Sequence, residues 1–318
     1  MPDKILGKPS SHSDVLNKHL KTLLIGYGWV GQQCHKYFPE SHWYTPNEGL
    51  HTPADAYIGS QSFLDFEVDP QYYEVAFISV PSPMKADGSC DVSYVDDVVR
   101  QWHRFVKLFI VRSTVTPGTI DKLQKQYPEN LFVMQPEYVG ETLAHPHLDV
   151  NRSTFIILGG TPEATELAAH AWSLVLHANS HIRQITGLAG ELCKYMENAF
   201  LGTKVIFVNE FRQLAESMGV DYNQLREAWL DDDRVGRSHS FAYKANPGFS
   251  GKCLPKDINS IVNYARTTAK QPLKLMEAVL NINAEMRQDV PTTEKLMPED
   301  PAFPHDSRKS PPLPSSKI

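Results

Sequence analysis

Long apolar runs are absent from this 318-residue sequence, and so are the marks of a secreted protein. No stretch approaches eighteen apolar residues, and the N-terminus lacks the apolar core of a secretory signal. Only four cysteines occur, at positions 34, 90, 193 and 253, without close pairing or any CxxC. This argues against a disulfide framework and a metal site, and we expect a soluble cytoplasmic protein.

An excess of basic residues is also lacking, since the formal net charge is −6 and the pI is near 6.1. General attraction to nucleic acid or to an anionic membrane is therefore not expected. Any phosphate-bearing ligand must be held by local donors. The length allows two domains.

Short apolar segments alternate with helical segments over the first 180 residues. Helices are predicted near 92–104, 119–126 and 162–177, and strands at 21–26, 42–45, 74–80, 106–111, 130–134 and 154–158. This alternation predicts an α/β fold with a doubly wound parallel sheet of the Rossmann type. We assign residues 19–182 to that domain and residues 1–18 to a disordered arm.

The pattern changes after residue 182. A proline-free segment at 186–218 carries apolar residues at helical spacing, which predicts a rod about 45–50 Å long. One small domain does not bury such a rod, so a homodimer is expected to cover part of it. With shorter helices near 256–268 and 272–288, it forms a predicted all-α catalytic and dimerisation domain at 183–290. The tail at 291–318, rich in Pro, Ser and charge, is predicted to be disordered.

A glycine motif, Gly26-Tyr-Gly-Trp-Val-Gly31, follows a predicted strand and opens a predicted helix. In dinucleotide-binding domains the first glycine permits a tight turn and the second lets the backbone approach a pyrophosphate. The third lets the helix pack on the strand. Cofactor contacts are therefore predicted for Gly26, Gly28, Trp29, Val30 and Gly31.

The acid that such domains place about twenty residues further on, for the adenosine ribose, is missing. Thr45 stands at the expected position, and Glu48 follows at a poorer spacing. No arginine stands nearby for a 2′-phosphate, so NAD is expected rather than NADP.

Cys253 lies in a glycine-rich stretch, Asn246-Pro-Gly-Phe-Ser-Gly-Lys-Cys-Leu-Pro-Lys-Asp257. A thiol near a helix N-terminus and a cation ionises readily and becomes a nucleophile, although a lone cysteine is as often a small buried residue. On the long helix, Lys194 and Asn198 share a face. The pair could stabilise an oxyanion, or the lysine could remove the proton of an alcohol. Alternatively, the two residues form an ordinary solvated helix face. Further polar residues follow predicted strands, where ligands bind in such sheets: Ser113, Thr114, Glu137 and Glu141.

Six segments together make the chain similar to the UDP-glucose/GDP-mannose dehydrogenase family. They occur in the family's order over roughly residues 20–285, and the cysteine segment is highly specific. The segments are GYGWVG (26–31), VPSP with DVSYV (80–95), RSTVTPGT (112–119), PEYVGE (136–141), GELCKYMENAFLGTKVIFVNEF (190–211) and NPGFSGKCLPKD (246–257).

The resemblance implies a four-electron oxidation of the C6 alcohol of a nucleotide sugar, such as UDP-glucose, to the uronic acid. Two NAD are used, through a thioester on Cys253. The implied catalytic residues are Cys253, Lys194, Asn198, Asp257, Thr114 and Glu137. Cofactor contacts are implied at the glycine loop and at Pro81, Thr114, Glu141 and Lys256. Substrate contacts are implied at Glu137, Lys194, Asn198, Lys244, Gly248 and, across a dimer, Arg234.

Family members usually continue into a third, Rossmann-like domain that closes over the substrate nucleotide. The residues after the last predicted helix are too few to form it, which leaves three explanations: a more open substrate site, a partner that supplies the wall, or a weakly active relative. The complete catalytic set favours the first. Two other functions remain open, namely a two-electron hydroxyacid dehydrogenase and a non-catalytic nucleotide- or protein-binding module.

Overall fold

A computed structural model describes residues 20–51, 57–59, 72–138 and 155–288. The predicted N-terminal arm, the predicted tail and Glu141 lie outside these ranges.

Within the described residues, nine strands form one sheet in the order β4-β3-β2-β1-β5-β6-β7-β8-β9. Their bounds are β1 (Thr22–Ile25), β2 (His42–Thr45), β3 (Gly49–His51), β4 (Tyr57–Gly59), β5 (Tyr73–Ile78), β6 (Val106–Val111), β7 (Leu131–Met134), β8 (Phe155–Gly160) and β9 (His181–Ile185).

Helices cover both faces of this sheet. Their bounds are α1 (Trp29–His35), α2 (Ser93–Trp102), α3 (Thr119–Gln126) and α4 (Pro162–Ser173). Alternate residues of the strands point into two separate cores, as a pleated sheet requires. One core contains Trp102 of α2 and Leu123 of α3, and the other contains Cys34 of α1 and Trp172 of α4.

The central strands β2-β1-β5-β6-β7 are parallel, which confirms the doubly wound sheet. The edges differ from the prediction, because β3 is antiparallel to β2, and β8 is antiparallel to β7. The predicted bounds of β2, β6 and α3 are confirmed. The prediction missed β3, β4 and β9. Strand β9 has the sequence HIRQI, in which apolar and polar residues do not alternate, and none of its residues is fully buried. It therefore carries no sequence pattern typical of a strand.

The remaining helices are α5 (Gly187–Ser217), α6 (Tyr222–Trp229), α7 (Cys253–Thr267) and α8 (Lys274–Met286). The long helix is confirmed as α5, and it packs on α7 and α8 around Ile206, Phe249, Ile258 and Val279. Helix α7 begins three residues earlier than predicted, at Cys253 itself. Among the helices described, none has the length and apolar character needed to cross a membrane.

Candidate active site

The glycine loop lies where β1 ends, between β2 on one side and β5 on the other. Ligands of doubly wound sheets bind in the crevice at such a point. Gly26 has a φ of +89°, and a Cβ there would lie 2.4 Å from the Ser79 carbonyl oxygen. A Cβ at Gly31 would lie 2.1 Å from the Gly26 oxygen, whereas one at Gly28 would meet nothing within 4 Å. The loop therefore has the tight turn, the close helix packing and the open backbone that fit a dinucleotide pyrophosphate.

Two neighbouring strand ends form the next part of the crevice. Pro81 is exposed just beyond β5, and Ser113 Oγ, just beyond β6, donates to the Val80 carbonyl at 2.7 Å. Thr114 is buried, and its carbonyl accepts from the Cys90 thiol at 3.4 Å. The predicted residues Pro81 and Thr114 are thus close to each other and to the end of β1.

A buried ion pair lies between the crevice and the helical domain. Arg112, at the end of β6, pairs with the Glu137 carboxylate and also donates to the Val30 carbonyl in the first turn of α1. The backbone carbonyl of Glu137 accepts from Lys194 Nζ at 2.5 Å. A continuous set of polar contacts therefore runs from the glycine loop to Lys194 on α5.

The facing helices α5 and α7 bring the other predicted catalytic residues together. The Asn198 amide donates to Asp257 Oδ2 at 2.5 Å, and Lys256 Nζ contacts Asp257 Oδ1 at the same distance. Asp257 is only 1 % exposed. Cys253 is the first residue of α7, one helical turn before Asp257, and it is exposed.

Lys194 lies within electrostatic reach of these groups. Burial lowers its pKa, while the negative charges of Asp257 and Cys253 oppose that effect, and Lys256 adds to it. A lysine whose pKa is lowered gives up and takes back a proton more readily near neutral pH.

Buried hydrogen bonds fix the relative positions of the elements that carry these residues. The Tyr195 hydroxyl on α5 donates to the Val115 carbonyl at 3.0 Å and lies 3.1 Å from Ser260 Oγ on α7. Glu191, one turn before Tyr195, accepts backbone amide bonds from the start of α3. The loop after β6, α5 and α7 are thereby held as one unit.

Helix α8 supports the loop that precedes Cys253. Gly248 has a φ of +73°, and a Cβ there would lie 2.5 Å from Asn283 Oδ1, which accepts from the Phe249 amide at 2.7 Å. Arg287 donates to Asn246 Oδ1 at 2.8 Å. The positive φ and the close packing against Asn283 explain why a glycine stands at position 248. The predicted contact between Gly248 and the substrate stays a prediction.

Two predicted substrate residues lie on the loop between α6 and α7. Lys244 is exposed, and Arg234 is bound to Asp232 of the same loop through a 2.5 Å contact. The loop is tied to α5 by Lys204, whose ammonium donates to two loop carbonyls at 2.8 and 2.7 Å.

Sequence reasoning missed several supporting residues, notably Arg112, Glu191, Tyr195 and Asn283. For Arg112 a signal existed, because a charged residue directly follows a strand whose last four residues are apolar and buried. The others lie on amphipathic helices, where nothing in the spacing separates a polar residue with a buried partner from one that faces water.

Two domain models of one known family match this chain. The UDP-glucose/GDP-mannose dehydrogenase family, NAD binding domain, matches residues 55–174, and the family's central domain matches residues 189–285. The NAD-binding domain model indicates NAD as the cofactor, as the sequence predicts. The residues that it matches include Pro81 and Thr114.

Related sequences point to the same family. The UDP-glucose 6-dehydrogenase of Rickettsia bellii is 32% identical over 67% of this chain and 49% of its own length. The UDP-glucose 6-dehydrogenase TuaD of Bacillus subtilis is 31% identical over 70% of this chain and 49% of its own length. The chain therefore spans about half the length of these relatives.

Solved structures share the fold. A UDP-glucose dehydrogenase from Pyrobaculum islandicum has a TM-score of 0.66 at 23% identity, covering 88% of this chain and 70% of that one. A UDP-ManNAc dehydrogenase from Pyrococcus horikoshii also has a TM-score of 0.66, at 20% identity, covering 84% of this chain and 69% of that one. With both domain models and these relatives in agreement, the chain belongs to the UDP-glucose/GDP-mannose dehydrogenase family.

Proposed function

We propose that this protein oxidises the C6 alcohol of a nucleotide sugar, such as UDP-glucose, to the corresponding uronic acid through a thioester on Cys253. The observation that carries the proposal is the grouping of Lys194, Asn198 and Asp257 beside the first turn of α7, which begins with Cys253. Polar contacts connect that group to the glycine loop through Glu137 and Arg112.

In the first oxidation the residues of this chain orient the alcohol and remove its proton. Lys194, with its pKa lowered by burial, takes the hydroxyl proton directly or through a water held by Thr114 and Asp257. Bound NAD supplies the hydride acceptor for each of the two oxidations. The product of this step is an aldehyde at C6.

In the second oxidation the Cys253 thiol gives up its proton to solvent, and the sulfur adds to the aldehyde carbon as a thiolate to form a thiohemiacetal oxyanion. The addition is needed because the aldehyde C–H becomes a good hydride donor only in a tetrahedral adduct. The Lys194 ammonium and the second amide hydrogen of Asn198 bind the resulting oxyanion. Loss of the second hydride gives a thioester. Water held by Glu137, Thr114 and Asp257 then cleaves the carbon–sulfur bond, releasing the carboxylic acid and restoring the thiol.

The proposal is tested by counting NADH. A panel of UDP-glucose, GDP-mannose and UDP-N-acetylmannosamine is supplied with NAD, and NADH and acid are measured. We expect two NADH per acid from the wild-type protein. Because serine is a poor nucleophile here, Cys253→Ser should lower acid formation by about 10³-fold or more while NAD binding persists.

Cys193→Ser is the matched control, since Cys193 on α5 contacts the Tyr138 hydroxyl at 3.5 Å, a contact that serine retains. It should keep the wild-type ratio of two NADH per acid. One NADH per product from the wild-type protein would place it with the two-electron hydroxyacid dehydrogenases. NAD binding without turnover of any nucleotide sugar would favour a binding module.

We also propose that the protein acts as a homodimer formed along α5. Large apolar side chains remain exposed along this helix: Leu188, Leu192, Met196, Phe200, Phe207, Phe211 and Leu214. They recur every three or four residues, with one seven-residue step, and so form one stripe. A second copy covering this stripe fits the expectation that Arg234 is offered across the dimer.

A further inference from the structure

The turn after β2 returns an acidic side chain to the end of that strand. Thr45, the last residue of β2, pairs with Gly49 of β3, so residues 46–48 form a three-residue connection. The Glu48 amide donates to Thr45 Oγ1 at 3.1 Å, and that hydroxyl donates to Glu48 Oε2 at 3.4 Å. The carboxylate therefore lies beside Thr45, three positions earlier in the sequence.

This end of β2 adjoins the dinucleotide loop. The Gly26 amide, at the start of the loop, donates to the carbonyl of Tyr44 at 2.9 Å, one residue before Thr45. Parallel β1 and β2 end at the same edge of the sheet, so the Glu48 carboxylate lies at the edge where the Gly28 backbone is open. In doubly wound dinucleotide-binding sheets this corner receives the adenosine ribose.

The segment that forms the corner lacks strongly basic residues. No Lys or Arg occurs from residue 37 to residue 84, a segment that includes β2, β3 and β5. Lys36 caps the far end of α1, where its ammonium donates to Gln33 at 2.8 Å. His51 contacts the backbone carbonyl of Glu48 at 3.0 Å. A 2′-phosphate at this corner would face the Glu48 carboxylate with no Lys or Arg from this segment to bind it.

We propose that Glu48 determines cofactor specificity by accepting hydrogen bonds from the ribose hydroxyls of NAD and repelling the 2′-phosphate of NADP. Thr45, which is uncharged, positions the Glu48 carboxylate by hydrogen bonding. The assignment rests on NAD binding to the glycine loop and is independent of which alcohol the protein oxidises.

The test measures binding rather than turnover. Purified full-length protein is titrated with NAD and with NADP by calorimetry. The wild-type protein should bind NAD at least about tenfold more tightly than NADP. Glu48→Gln should weaken NAD binding by about tenfold, the loss expected for one charge-assisted hydrogen bond at an exposed site. It should also reduce the preference for NAD, because the repulsion of the 2′-phosphate disappears.

Glu40→Gln is the matched control. Glu40 is exposed and stands two residues before β2, at the strand's opposite end, so its change removes the same charge from the wrong position. Both dissociation constants should then stay within about twofold of wild type. An unchanged NADP-to-NAD ratio in Glu48→Gln, or the same change in Glu40→Gln, overturns the assignment while the proposed oxidation stands. A wild-type protein that binds neither dinucleotide overturns both.

Discussion

Glu191 is a carboxyl group with no exposed surface, although it lies on a helix that meets water elsewhere. Its two oxygens accept the amides of Gly118 and Ile120 at 2.5 and 2.8 Å and so cap the first turn of α3 from α5. Burial raises the pKa of Glu191 to about 7; these backbone hydrogen bonds oppose the rise, and the nearby Asp121 adds to it. The group therefore titrates near neutral pH.

A raised pKa means that the folded protein holds this proton more tightly than the unfolded chain. The stability it contributes is fully present below the ordinary pKa of about 4.5 and is lost as the pH rises through about 7. Replacing Glu191 with Gln removes this titration. The unfolding free energy of the wild-type protein relative to Glu191→Gln should therefore fall by up to about 1.4 kcal/mol per pH unit over that window.

Urea unfolding at several pH values between 4.5 and 8 measures this difference. Glu210→Gln, an exposed position on the same helix, should follow the wild-type pH dependence. A Glu191→Gln curve parallel to that of the wild-type protein would show that the carboxyl group does not titrate in this range.

At the scale of elements, α5 crosses β8 with backbone against backbone. A Cβ at Gly190 of α5 would lie 3.0 Å from the Cα of Gly159 on β8, and a Cβ at Gly159 would lie 2.8 Å from the Thr186 carbonyl oxygen. Backbone atoms cannot rotate away as side chains do. The contact therefore sets the position of α5, and with it Lys194 and Asn198, against the sheet.

Gly190→Ala should destabilise the protein by about 1–3 kcal/mol, because the added methyl group forces the helix away from the sheet. Chemical unfolding checks the value. Gly202→Ala, on the same helix, is the matched control. Its Cβ would meet the terminal Cδ1 of the buried Ile258 side chain, which can change its side-chain torsion as backbone atoms cannot, and alanine favours the helix by about 1 kcal/mol. An equal or larger loss in Gly202→Ala would contradict this account of the crossing.

At the scale of the whole molecule, one face of α5 exposes large apolar side chains that a single chain does not cover. Met196 is 77 % exposed, Phe200 61 % and Leu214 53 %, although each lies on a helix whose opposite face is packed. Contiguous apolar surface of this kind marks an interaction site in a protein without a membrane span in its described part.

A charge placed on this face should separate the proposed dimer. We expect the wild-type protein to sediment as a dimer at micromolar concentration and Leu214→Glu to weaken dimerisation at least about tenfold, because a carboxylate must be buried unpaired. Analytical ultracentrifugation gives both constants. Lys125→Glu, at an exposed position of α3, should leave the dimer intact. A monomeric wild-type protein contradicts the proposal.

The sequence by itself determined the features that depend on near neighbours. The bounds of β6 and α3, the extent of α5 to within a residue at each end, and the turn at Gly26 follow from apolar period, proline placement and the conformational freedom of glycine. The motifs around Cys253 and Lys194 also identified the family, because each is a short run of residues in a recognisable order.

The tertiary structure alone decided which distant groups meet. The Arg112–Glu137 pair, the Asn198–Asp257 bond and the capping of α3 by Glu191 join residues 25 to 73 positions apart, and no periodicity encodes such pairs. Glu48 shows the same on a shorter scale, since its spacing looked wrong until the β2–β3 turn brought it back to Thr45. Local spacing determines which residues share a face, whereas packing between elements determines what that face touches.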